Sequence, residues 1–185
     1  MLTPIFILSL FSDYEQSNLI ALIVFLVACI TDTYDGYYAR KYNQVTPEGK
    51  FLDPLADKVL VSSAFISFAM LDIIEFWMVG LIIFRDLFVT GLRIIMSNKG
   101  FSFITTKISK YKTAFQLTII IMTLIFISID DMNMDSLVPI VSIIKEFNII
   151  YFLTFIMTVF TAYTGINYIY MNRIVIQKYI NESND

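Results

Sequence analysis

The sequence predicts an all-α integral membrane protein: a bundle of six transmembrane helices with its functional site at the cytoplasmic membrane boundary. Three observations carry this. Hydrophobic residues make up 57% of the 185 residues and charged residues only 16%, with a mean hydropathy of +0.72, far from the soluble average. The charges separate apolar runs that approach the roughly 20 residues a bilayer crossing requires. Basic residues fall almost entirely on one side of the alternation those runs create. The length fits a single domain, 1–185. No histidine is present, which removes imidazole acid–base chemistry and the commonest transition-metal ligand. The lone Cys29 lies in an apolar run, so it forms no intrachain disulfide and reads as a small core residue. The net charge of −3 is not informative by itself, because position matters more than sum in such a chain, and nucleic-acid binding is disfavoured.

The first segment, Met1 to Ser12, is apolar but short; it lacks the basic start and small-residue cleavage site of a signal peptide. Asp13 and Glu15 mark a polar turn. From Gln16 to Thr31 no residue is charged, and helical character continues through Asp35 and Ala39 to Arg40, so the second helix ends in an acidic pair. A polar connection follows. Asp53-Pro54 is a helix-start signal, because proline suits a first turn and aspartate caps free amides, although the third helix has room to begin earlier; it runs to about Leu71. Asp72 and Glu75 form a turn, and the fourth helix runs from about Phe76 past Arg85 and Asp86 to Met96. A basic, irregular connection leads to the fifth, over the uncharged run Thr113 to Ile129. An acidic loop opens at Asp130, and the sixth helix occupies much of the uncharged run Phe147 to Asn172, before a short polar tail.

Charge sets the orientation. With six alternating helices, one side receives Arg40, Lys41, Lys50, Lys58, Arg85, Arg93, Lys99, Lys107, Lys110, Lys112, Arg173 and Lys178, leaving only Lys145 opposite. That side is cytoplasmic by the positive-inside rule, and it carries Asp32, Asp35, Asp53 and Asp57.

These four acids are the centre of the chemistry. Asp32 and Asp35 are three apart, and Asp53 and Asp57 four apart, so each pair occupies one helix face. An antiparallel return of the third helix brings the pairs to one depth. A charged side chain within the bilayer costs several kcal/mol, on the order of 3 by insertion scales, and four converging carboxylates repel one another unless a cation intervenes. Carboxylates favour hard ions such as Mg²⁺ or Mn²⁺. Gly36 leaves backbone open to a ligand, and Arg40, four residues on, offers a planar fork suited to phosphate or to one of the aspartates. The bland alternatives are a solvated helix end for the first pair and an N-cap for Asp53. An EF-hand does not fit, because Asp-Thr-Tyr-Asp-Gly lacks the alternating ligand positions.

The pattern Asp-x2-Asp-Gly-x2-Ala-Arg-x8-Gly-x3-Asp-x3-Asp is complete at Asp32, Asp35, Gly36, Ala39, Arg40, Gly49, Asp53 and Asp57. It resembles the signature of the CDP-alcohol phosphotransferases, integral membrane enzymes of phospholipid synthesis. The resemblance implies that Asp32, Asp35 and Asp53 bind two divalent ions, with Asp57 at the second metal and acting as general base. It further implies that Asp32, Gly36 and Arg40 contact the CDP moiety, that CMP is released, and that the protein is a homodimer. Relatives usually carry an amphipathic segment with an Asn-Leu-Pro-Asn-like stretch before the first helix, so the resemblance also implies a missing N-terminal segment.

The acceptor alcohol is argued from a second, basic constellation. Arg85 and Arg93 are eight apart, close to two turns, and share a face; Lys107, Lys110 and Lys112 follow near the fifth helix. Attraction to anionic headgroups accounts for the lysines equally well, but not for Arg85 in an apolar helix. Cations beside a diphosphate site point to an acceptor with a phosphate of its own. The stretch Arg85-Asp86 to Gly91-Leu92-Arg93, with Ser109-Lys110-Tyr111-Lys112-Thr113 and Gln116, is similar to the phosphatidylglycerophosphate synthase branch, with Asp86 and Ser109 where glutamate and glycine are expected. That branch joins CDP-diacylglycerol to glycerol 3-phosphate. Phosphatidylglycerol, inositol phosphate, serine or an aminoalcohol are the alternative acceptors. A divalent cation transporter is the alternative of another class; it would place charges mid-helix and gives no reason for Gly36, Arg40 and Gly49.

Overall fold

In the computed structural model the described residues are 2–14, 16–42, 47–98, 107–132 and 137–182; within the helices the side chains of 36, 39–40, 47–57, 97–98, 107, 109–110, 178 and 180–182 lie outside the description. The described residues form α1 (Thr3–Leu10), α2 (Ser17–Lys41), α3 (Pro47–Met70), α4 (Phe76–Asn98), α5 (Lys107–Asp131), α6 (Val138–Glu146), α7 (Ile149–Met171) and α8 (Arg173–Glu182).

The long uncharged runs become long helices, since in apolar surroundings only intrahelical hydrogen bonds satisfy the backbone. Among the described residues three helices are long and apolar enough to cross a membrane: Ser17–Asp35 within α2, Tyr111–Asp131 within α5 and Ile149–Met171. α3 has a shorter apolar stretch, Lys58–Met70, and α4 carries Arg85, Asp86 and Arg93. Two helices exceed the sequence expectation. α6 occupies part of the acidic loop, with Pro139 in its first turn, where a missing N–H costs nothing. α8 occupies the polar tail.

Helix ends follow local chemistry. Asp72 (φ 57°) and Asn148 (φ 47°) adopt the left-handed conformation, which aspartate and asparagine tolerate better than most residues. Asp72 closes α3, where Ile73 N–H donates to the Phe68 carbonyl at 3.0 Å. Asn148 lets α7 start directly after α6.

α2 packs on α1 and α5; α3 on α1, α4 and α5; α7 on α4 and α5. α5 is thus the shared neighbour of α2, α3 and α7. Phe6, Phe25, Phe65, Phe68, Ile82, Ile120, Leu124 and Met157 are fully buried at the centre. α7 turns Thr154, Thr158, Thr161 and Thr164 inward. Their hydroxyls donate back along the helix, for example Thr158 to the Thr154 carbonyl at 2.8 Å, so small side chains meet the neighbours without unpaired polar atoms.

Candidate functional site

α2 runs unbroken from Ser17 to Lys41, so Asp32 and Asp35 sit on consecutive turns near its C-terminal end. Both are exposed. The intervening hydroxyls turn away: Thr31 donates to the Val27 carbonyl and Thr33 to the Cys29 carbonyl, each at 2.8 Å. α3 begins at Pro47, earlier than the Asp53-Pro54 signal. The competing start signal is Pro47 itself, which opens the helix as its first residue. Asp53 therefore lies inside α3 and is not its N-cap, and Asp53 and Asp57 hold i, i+4 positions on continuous helix. The side chains of Gly36, Arg40, Asp53, Asp57, Lys107 and Lys110 lie outside the described residues, and so does the expected convergence of the four carboxylates. Among the described residues no group of three or more acids or cysteines assembles to hold a metal ion.

A second polar centre lies inside the bundle. Asp86 of α4 is 3% exposed, and Lys112 and Gln116 of α5 are each 1% exposed. Lys112 Nζ donates to Asp86 Oδ1, Gln116 Nε2 to Oδ2 at 3.2 Å, and Arg85 Nη1 to Oδ1 at 3.2 Å. Lys58 of α3, half-buried, adds attraction to Asp86 through space. Ion pairing of this kind is what makes buried charge tolerable. Asp86 is the sole acid in this cluster among the described residues and lies near three cations, Arg85, Lys112 and Lys58.

The Arg85 side chain is 12% exposed. Its Nε and Nη2 are buried and have no hydrogen-bond partner among the described residues. Its aliphatic stem lies against Gly165 of α7. Arg93, two turns on, places its guanidinium 5.8 Å from the Tyr168 ring centroid. Both arginines thus face α7, as their spacing predicts.

The five expected acceptor-phosphate cations therefore divide. Arg85 and Arg93 share one face toward α7; Lys112 is held at Asp86; Lys107 and Lys110 fall outside the described side chains. Sequence reasoning missed the pairing of Asp86 with Lys112, the electrostatic part of Lys58, and Gly165. The available signal was an acid beside an arginine in an apolar helix, since such an acid demands a counter-charge from another helix.

A cavity of about 450 Å³ opens at the opposite end of α2, lined by Asn18, Asp72, Asp130, Lys145 and Tyr151 among others. Four of its polar groups are already paired: Lys145 Nζ donates to Asp130 at 2.7 Å and Asn18 to Asp131. It is remote from Asp32 and Asp35 and does not contribute to their site.

Comparison with known proteins agrees with the signature. The family model of the CDP-alcohol phosphatidyltransferases matches residues 1–160. The chain is 48% identical over 101 residues to the CDP-diacylglycerol–glycerol-3-phosphate 3-phosphatidyltransferase of Bacillus subtilis (strain 168), covering 55% of this chain and 52% of that protein. It is 40% identical over 103 residues to a probable phosphatidylglycerophosphate synthase of Mycobacterium tuberculosis (strain CDC 1551 / Oshkosh), covering 54% and 49%. A third relative, the CDP-diacylglycerol–glycerol-3-phosphate 3-phosphatidyltransferase of Rickettsia felis, is 35% identical over 117 residues, covering 63% and 65%. The matched region spans from about half to just under two thirds of these relatives' own length. With a family model matching 160 of its 185 residues, the chain belongs to the CDP-alcohol phosphatidyltransferase family.

Proposed function

We propose that this chain transfers the phosphatidyl group of CDP-diacylglycerol to glycerol 3-phosphate, forming phosphatidylglycerophosphate and releasing CMP. The observation that carries the acceptor is Arg85, a nearly buried arginine whose Nε and Nη2 find no partner among the described residues, in a chain whose relatives are named for that reaction. In this reading residues 1–185 are one domain, the six membrane helices are α1 to α5 and α7, with α1 at eight residues too short to cross by itself, and the site faces the cytoplasm, where all basic residues but Lys145 gather. A homodimer in the membrane goes with the same reading.

The donor set fits a hard divalent ion. Asp32 and Asp35 present exposed carboxylates one turn apart, and the register of α3 adds Asp53 and Asp57 as a second pair. Mg²⁺ or Mn²⁺, two ions in all, would be held by these four, and when bound would supply positive charge to the diphosphate and the leaving group. Gly36 leaves room for the nucleotide beside α2, while Asp32 and Arg40 bind the CDP moiety. Arg85 and Arg93, with Lys107 and Lys110, hold the acceptor's phosphate, and Lys112 acts there through Asp86. Asp57 takes the proton from the acceptor hydroxyl. The hydroxyl oxygen bonds to the lipid-linked phosphorus, the bond from that phosphorus to CMP breaks, and no covalent enzyme intermediate is needed.

Purified protein is expected to release CMP from CDP-diacylglycerol only with glycerol 3-phosphate and Mg²⁺ or Mn²⁺ together. Equal release with inositol or serine rejects the acceptor. Asp57→Asn is expected to lower kcat by a factor on the order of 10² to 10⁴, the usual contribution of a positioned base; unchanged kcat removes Asp57 from that role.

A further inference from the structure

We propose that Gly165 is a positioning residue for acceptor binding: the side chain it lacks is the space that holds Arg85 with its two-donor edge toward the acceptor's phosphate. This rests on the reading of Arg85 as a ligand of that phosphate.

The Arg85 stem crosses α7 directly over Gly165. A Cβ on Gly165 would stand 2.9 Å from Arg85 Cγ, 3.7 Å from Nε and 3.9 Å from Cδ. The closest atom is the second carbon of the stem, not the mobile tip, so relieving the clash moves everything beyond it, including the guanidinium. By contrast, a Cβ at Gly80 or Gly91 of α4 meets nothing within 4 Å. The intolerance at 165 therefore belongs to Arg85 and is not a general property of the helix contact.

The far end of Arg85 is fixed as well. Nη1 donates to Asp86 Oδ1, and Asp86 is itself clamped by Lys112 and Gln116. A guanidinium held by Nη1 leaves Nε and Nη2, which lie side by side on one edge and carry two parallel N–H groups. That edge matches two oxygens of a phosphate. Both nitrogens are buried without a partner among the described residues, and a buried donor left unpaired is costly. Lys112 already neutralises Asp86, so the arginine's charge is available to an anion. Gly165 sets where the stem lies and Asp86 sets the rotation about it; together they aim the edge.

The test is kinetic, on the purified full chain with CDP-diacylglycerol, glycerol 3-phosphate and Mg²⁺. Gly165→Ala is expected to raise KM for glycerol 3-phosphate at least tenfold, with kcat and KM for CDP-diacylglycerol within twofold of the parent. Gly80→Ala is expected to change none of these. In an Arg85→Ala background, which lacks the clashing Cγ, adding Gly165→Ala is expected to change KM less than twofold. Equal rises in both KM values, or independent effects that multiply, overturn the proposal. If Gly165→Ala alone does not fold, Arg85→Ala and the double variant are compared directly: equal KM supports the proposal and a further rise overturns it. Thermal protection separates the two levels. A parent protein that neither glycerol 3-phosphate nor inorganic phosphate protects loses both the acceptor reading and this one. A parent and a Gly165→Ala variant protected at the same concentrations lose only the role of Gly165.

Discussion

Two aspartate–lysine pairs in this molecule share their chemistry and differ in their surroundings. Asp130 and Lys145 join α5 to α6 at 2.7 Å, with the aspartate side chain 35% and the lysine side chain 56% exposed. Asp86 and Lys112 join α4 to α5 with 4% and 1% exposed. The outer pair can exchange each partner for water. The inner pair cannot, because neither charge has water within reach among the packed helices. Chemistry alone therefore does not rank an ion pair; the cost of the alternative partner does. The inner pair also has a task the outer one lacks, since Asp86 is where Arg85 is anchored.

The largest effect should come from breaking the inner pair on one side. Lys112→Met takes away the closest counter-charge of Asp86 and leaves it only Arg85 and Gln116, at an expected cost of up to about 3–5 kcal/mol of stability, read as a lowered unfolding midpoint in detergent; a loss no larger than that at the outer pair would erase the distinction. Removing both charges sharpens it. The double variant Lys112→Met with Asp86→Leu is expected to recover part of that loss, because well-packed apolar replacements of buried pairs are often neutral or stabilising, while Arg85 loses the partner of its Nη1. Its KM for glycerol 3-phosphate should stay raised, since Arg85 has lost its anchor. Recovery of both stability and KM would show that Asp86 does not orient Arg85. The smallest effect belongs to the outer pair: Lys145→Ala is expected to cost less than about 1 kcal/mol, and added salt should shrink the difference further.

Elements whose own composition fixes them were legible in the sequence. The helix expected from Gln16 to Arg40 and the one expected within Phe147 to Asn172 are α2 and α7 to within a few residues at their ends, because backbone hydrogen bonding in apolar surroundings leaves little choice. α6 and α8 were not legible. Short helices with polar faces depend on what they lie against, and Ile174 or Lys145 alone does not reveal that. In the candidate site, the spacing of Asp32, Asp35, Asp53 and Asp57 gave both the pairing on helices and the family. Lys112 was found as a cation but not as the partner of Asp86, for the two are 26 residues apart and only the packing of α4 on its neighbours joins them. Gly165 was silent. A glycine in an apolar run becomes informative only when the neighbouring stem is seen across it.

The division of charge between α4 and α5 also bears on how the chain enters a bilayer. In the six-span reading α4 emerges first, carrying Arg85 and Asp86, each of which opposes insertion by about 2.5–3.5 kcal/mol at the membrane centre. Lys112 is synthesised later, on the far side of the connection between the helices. Until it arrives, Asp86 lacks its strongest counter-charge, and α4 has less reason to leave the protein-lined passage for lipid. In that reading the two segments are suited to partition sideways as a hairpin, each carrying the counter-charge of the other.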